Sequence, residues 1–181
     1  MPILIYLDED DPRLKEYDFR PPNPAIIFYI ENPVGLGGVY HWIFKNFPQE
    51  KYYGFLGDDL IPQTDGWDEK LVEADDDWNV AYPNDKFWEY GELATHPTLG
   101  GELVRHMGWL CYPGLERTYI DTVWHVVGTH RSALKWLPDV ILEHMHPLKG
   151  KAPMDDTYAK IALHTAHDAS LYQQFMREFQ G

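Results

Sequence analysis

Three apolar runs in the first third of the chain each stop abruptly at acidic or polar residues, and this repetition restricts the fold more than any other feature. The run over residues 2–7 ends at Asp8-Glu9-Asp10-Asp11-Pro12, the run Ala25 to Ile30 ends at Glu31-Asn32-Pro33, and Tyr52 to Leu56 ends at Gly57-Asp58-Asp59. Asp11 is placed to cap a short helix with Pro12 in its first turn. Beyond Gly35, the apolar residues Val39, Ile43, Phe44 and Phe47 keep helical spacing, so a helix separates the second and third runs. The third run is apolar on both faces, which predicts a central strand of a largely parallel sheet. Thr64 or Asp65 then caps a helix through about Ala74, with Leu71 and Val72 inward, and Asn79 to Tyr82 forms a fourth strand. Strands alternating with helices give an α/β fold: a mostly parallel central sheet flanked by helices.

The second half is less regular. It predicts a strand at Leu93-Ala94-Thr95, helices near Gly101 to Met107 and Tyr119 to Val127, and a strand from Leu134 to His144. The chain closes on an amphipathic helix in which Tyr158, Ile161, Ala162, Thr165, Ala169, Tyr172, Met176 and Phe179 recur three or four apart. No repeat or linker divides the 181 residues, and that length supports one core, so residues 1–181 are expected to form a single domain. No run reaches the ~18 apolar residues of a membrane span, and the start lacks the basic segment of a signal peptide. A soluble, cytoplasmic protein is the expectation.

With Cys111 the only cysteine, an intrachain disulfide and a multi-cysteine metal site are excluded. Any metal must be held by Asp, Glu and His. A net charge of -14 argues against tight non-specific binding to nucleic acid, and the lack of a spanning apolar run argues against a membrane partner.

Ligands of open α/β sheets collect beyond the carboxyl ends of the strands, and three such ends here are acidic or polar. Adjacent carboxylates such as Asp58 and Asp59 repel unless a cation joins them, and a hard divalent ion is the usual partner. A simple turn with Asx hydrogen bonds accounts for the pair equally well. A second cluster, Glu143-His144-Met145-His146-Pro147, follows the apolar run Val140 to Leu142. If the strand continues, His144 and His146 point the same way, and either could contact a metal or phosphate. Asp121 begins a helix; spacing alone favours dipole stabilisation over a role as general base.

The segment from Tyr53 to Trp67, with Gly57-Asp58-Asp59 at its centre, resembles the metal-binding "DxD" segment of GT-A glycosyltransferases. Asp8-Glu9-Asp10-Asp11-Pro12, Thr95-His96-Pro97, Tyr119 with Asp121-Thr122, and Glu143-His144-Met145-His146-Pro147 followed by Gly150-Lys151-Ala152 occur in the order of small GT2-like, bacteriophage-type members. The resemblance spans nearly the whole chain. It implies a single GT-A domain with Asp59 as metal ligand, Asp58 assisting or contacting ribose, and His144 or His146 on metal or diphosphate. Asp8, Asp10 and the Asn32 to Gly35 turn would line the nucleoside pocket, and Asp121 would be the base of an inverting reaction. Mn²⁺ or Mg²⁺ and a nucleotide-diphosphate sugar, UDP-sugar favoured, are the implied cofactor and donor. Members normally open with one further strand and helix, so this chain is expected to begin at the usual second strand and to form a homodimer across the exposed edge.

Two other enzyme readings stay open: a nucleotidyltransferase, although the glycine- and lysine-rich phosphate loop is missing, and a hydrolase built on Asp59 and the His pair. A third reading is a non-catalytic nucleotide-sugar or glycan-binding module, for which seven Trp, twelve Tyr and eight Phe supply stacking surfaces. Trp88, Trp109, Trp124 and Trp136 are each expected in the core before any acceptor site.

Overall fold

The computed structural model describes residues 3–17, 26–31, 34–154 and 156–180. It is an α/β structure in which β1 (Ile3–Asp8) and β2 (Ile26–Glu31) pair in parallel, with Asp8 level with Glu31 at their carboxyl ends. The helix α1 (Gly35–Asn46) follows.

A second sheet contains β3 (Tyr52–Gly54), β4 (Leu60–Pro62), β5 (Val80–Asn84), β6 (Thr98–Gly100) and β7 (Leu134–His144), in the order β3-β6-β5-β7-β4. Within it only β5 and β7 run parallel; the other three pairings are antiparallel. The expectation of a mostly parallel sheet is therefore corrected. The cause lies at Gly100-Gly101, which lets β6 enter antiparallel between β3 and β5. Gly100 N–H donates to the Asn79 carbonyl (3.0 Å) and Gly101 N–H to the Lys51 carbonyl (2.7 Å), and a Cβ on either glycine would overlap backbone of the Asp77 or Glu50 region.

This arrangement also puts β3 at the edge of its sheet. Its two-sided apolarity comes from aromatic packing against α1, not from a central position. Tyr53 is buried, its hydroxyl donates to the Phe47 carbonyl (2.6 Å), and Phe55 packs on Tyr40 with ring centroids 4.6 Å apart. The central strand is β5, whose Val80, Ala81 and Tyr82 are buried.

The remaining helices are α2 (Trp67–Ala74), α3 (Gly101–Met107), α4 (Ile120–His130) and α5 (Asp156–Gln180). α2 starts one or two residues later than capping by Asp65 or Thr64 predicts, because Gly66 in left-handed conformation (φ 63°) precedes it. Thr64 is used elsewhere: its hydroxyl donates to the Asp139 carbonyl and accepts from Ile141 N–H, stitching the chain to β7. Leu93-Ala94-Thr95 is not a strand; β6 begins only at Thr98, and the Thr95 side chain turns inward instead.

The main core joins β5, β6, α3 and α4 around Trp124, which is fully buried with its indole N–H on the Leu110 carbonyl (2.8 Å). Trp109 and Trp136 pack against this core, whereas Trp88 is partly exposed. α5 adds Phe175, which packs on Trp109 and Tyr112, and Tyr172, stacked on Tyr119 at 5.0 Å. The side chains of Tyr158, Ile161 and Ala162 lie outside the described residues. No described helix is long and apolar enough to cross a membrane.

Candidate functional site

The short strand β4 is what builds the site. It pairs antiparallel with the end of β7, Leu60 opposite His144, so that the turn just before it is carried to the carboxyl end of β7. Met145 N–H donates to the Asp59 carbonyl (2.8 Å), and the Asp59 carboxylate reaches His144, Oδ2 to Nε2, at 3.0 Å. Both side chains are largely covered. Asp58, in contrast, is exposed at the tip of the turn.

The other side of His144 faces the end of β5. The ladder between β5 and β7 is interrupted after Pro83, which has no N–H to donate, and Asn84 resumes pairing at Ile141. The interruption brings Asp85 beneath His144, whose N–H donates to the Asp85 carbonyl (2.9 Å). Asp85 is buried: Oδ1 accepts from Phe87 and Trp88 N–H, and Oδ2 accepts from the Thr95 hydroxyl at 2.7 Å. His144 Nδ1 stands 3.9 Å from Asp85 Oδ2, beyond hydrogen-bond range. Next to Thr95, His96 adopts a positive φ of 50° and sets its ring edge-on to His144, centroids 5.1 Å apart. Phe87 and His146 complete the wall, each within 6 Å of the His144 ring, centroid to centroid.

Electrostatics bind these residues into one unit. Burial opposes a charge on His144, but the Asp59 and Asp85 carboxylates on its two sides raise its pKa to about 9. Burial would also raise Asp85, yet His144, the Thr95 hydroxyl and the Trp88 and Phe87 amides bring it to about 2. His96 goes the other way: burial, and then the charge on His144, lower its pKa to about 4. Burial and His144 likewise lower His146, whose Nδ1 accepts from Leu148 N–H (3.1 Å). The cluster is thus two neutral imidazoles, one charged imidazole and two carboxylates in a poorly solvated space.

No protein-family model, curated protein or solved structure matches the chain.

Asp121 opens α4 behind Tyr119, which takes a left-handed φ of 64°. Its Oδ1 accepts from Thr122 N–H (2.7 Å) and from the Thr122 hydroxyl, as a first-turn acid would. Burial raises its pKa; the Thr122 donors oppose this, and the charge of Asp85 adds to it. The loop leading to Asp121 is held by buried Asp168 of α5, which accepts from Glu116, Arg117 and Thr118 N–H at 2.7–3.0 Å.

The residues expected to line a nucleoside pocket separate into two places. Asp8 and Asp10 are exposed at the end of β1, and Asp11 Oδ1 accepts from Arg13 N–H (2.7 Å) to shape the following 3-10 turn. That turn leads to Tyr17, whose pKa is raised by burial and then by the charges of Asp11 and Asp58. Gly35 instead opens α1 beside a cavity of about 270 Å³ lined by Val34, Leu36, Glu116, Arg117 and His164. Asn32 lies outside the described residues.

Sequence reasoning passed over Asp85. Its signal was present, since it lies just past the apolar strand run that ends at Tyr82, as Asp8 and Asp58 lie just past theirs. His96 stood in the quoted Thr95-His96-Pro97 segment without a role.

Proposed function

We propose that the chain is a metal-dependent glycosyltransferase of the GT-A kind, moving a sugar from a nucleotide-diphosphate sugar, a UDP-sugar by preference, to an acceptor hydroxyl. The observation that supports this reading most is the Asp59–His144 contact, which joins the acidic turn and the His-rich strand end named by the resemblance into one site. Its donor set of carboxylates and imidazoles fits a divalent cation such as Mn²⁺, and among the described residues two buried imidazole nitrogens there find no hydrogen-bond partner. A cation bound there would neutralise charge on the departing diphosphate.

Asp121 is the base of this reaction. Burial raises its pKa, which makes it a stronger base than an exposed carboxylate, and the Thr122 contacts fix its carboxylate. The acceptor hydroxyl gives its proton to Asp121 while its oxygen bonds to the anomeric carbon. The bond from that carbon to the diphosphate oxygen breaks, nucleoside diphosphate leaves, and the configuration inverts. Asp8, Asp10 and Asp58 form the acidic rim that faces the nucleoside.

Release of nucleoside diphosphate from a panel of donors tests the proposal. Asp121→Asn is expected to slow release by about 10²–10⁴ while leaving nucleotide binding intact. No release from any donor would remove the transferase reading. A binding module is the second reading, favoured by Tyr90, 82% exposed, beside the partly exposed Trp88; glycan binding without turnover would establish it.

A further inference from the structure

Among the described residues, two buried ring nitrogens, His144 Nδ1 and His96 Nε2, find no hydrogen-bond partner. Leaving such a group unpaired costs about 1–3 kcal/mol, so two of them facing one carboxylate call for an explanation. The ligand atoms of Asp85, His96 and His144 all lie within 4.8 Å of one another. The Asp85–His144 separation of 3.9 Å is too long for a hydrogen bond. It matches two ligands that share one ion, since metal bonds of ~2.0–2.2 Å put neighbouring ligands about 3–4 Å apart.

We propose that Asp85, His96 and His144 form the inner ligand set of a divalent transition-metal site, with His144 binding through Nδ1 and Asp59 acting from outside as its orienting partner. This goes beyond the transfer reading and holds whether or not the chain transfers sugar. It gives Asp59 a different place from the one the resemblance implies: its carboxylate accepts from His144 Nε2–H and fixes the tautomer that presents Nδ1 to the ion. Thr95 orients Asp85 by donating its hydroxyl to Oδ2. The strained backbone of His96 is consistent with a side chain held where a ligand is needed. Two nitrogens among three protein ligands select Mn²⁺, Fe²⁺, Co²⁺ or Zn²⁺ and disfavour Mg²⁺, which prefers all-oxygen shells. With three protein donors the ion keeps open positions for water or an oxygen of a substrate.

The test is titration of the metal-stripped full chain with Mn²⁺, Co²⁺, Zn²⁺ and Mg²⁺, without any nucleotide, by calorimetry and by NMR of the histidine rings. Mn²⁺ is expected to bind one ion per chain and to broaden the His96 and His144 ring signals first, a readout that needs no variant. His96→Asn, which tolerates positive φ, should weaken Mn²⁺ at least tenfold while its melting temperature in EDTA matches wild type. Asp59→Asn should retain the site but weaken it about 10–100-fold. Absence of binding by all three transition metals, Mg²⁺ binding as tight as Mn²⁺, or broadening confined to His146 and the Asp58 turn would overturn the assignment. Metal bound as expected but no nucleotide binding would defeat the transfer reading alone.

Discussion

The Asp59 carboxylate meets the His144 imidazole at 3.0 Å across 85 positions of sequence, and the three-residue strand between Leu60 and Pro62 makes that meeting possible. In the metal-free protein, Asp59→Ala leaves a charged, largely covered imidazole with Asp85 alone. A loss of about 1–2 kcal/mol at pH 7 is expected, smaller than for a fully buried pair because Asp59 keeps some solvent contact. Urea unfolding of Asp59→Ala, His144→Ala and the double variant measures it, and additive losses would show that the contact carries no energy.

That strand shows what a sequence can and cannot carry. The long elements were legible: the apolar run Leu134 to His144 is β7 over the same residues, and Gly101 to Met107 is α3. Short strands were not. Leu60-Ile61-Pro62 looks like a turn because three residues ending in proline carry no alternation, and only the distant β7 makes them a strand. Tyr52 to Leu56 looked central because the sequence shows apolar faces but not whether a sheet or the helix α1 covers them. Of the site, Asp59, His144 and Asp121 stood out as local patterns, whereas Asp85 acquires meaning only through the interrupted pairing that sets it beneath His144.

Asp75 gives the clearest pH dependence. It is buried, and burial raises its pKa from 3.8 to about 7 against the opposing Asn79 and Asp77 amides. A folded pKa above the unfolded one means that the folded state holds the proton more tightly. Stability from this group is therefore complete below about pH 4 and is lost as pH rises through 7. Asp75→Asn should raise the melting temperature at pH 8 and change it little at pH 4; equal effects at both values would count against the assignment.

Asp168 organises the loop that delivers Asp121. Asp168→Ala strands three backbone donors and the Thr118 hydroxyl. A loss of about 3 kcal/mol or more is expected, with Asp168→Asn recovering part of it because one acceptor oxygen remains. Thermal unfolding of the two variants decides this, and a fully stable Asp168→Ala would refute the anchoring role.

Gly37 tests the packing of α1 on the same loop. Its N–H donates to the Glu116 carbonyl (2.9 Å), and a Cβ there would overlap the Leu115 carbonyl. Because the obstacle is backbone, Gly37→Ala should cost about 3 kcal/mol or more, despite the higher helix propensity of alanine. A neutral or stabilised variant in calorimetric melting would contradict the contact.

A donor site formed by the acidic turn and the His-rich strand end would bind nucleotide through the metal. Calorimetric titration with UDP and GDP, each with and without Mn²⁺, on wild type and Asp59→Ala measures this. UDP is expected to bind wild type only when Mn²⁺ is present and at least tenfold more weakly to Asp59→Ala. Failure of both nucleotides to bind under every condition would contradict it.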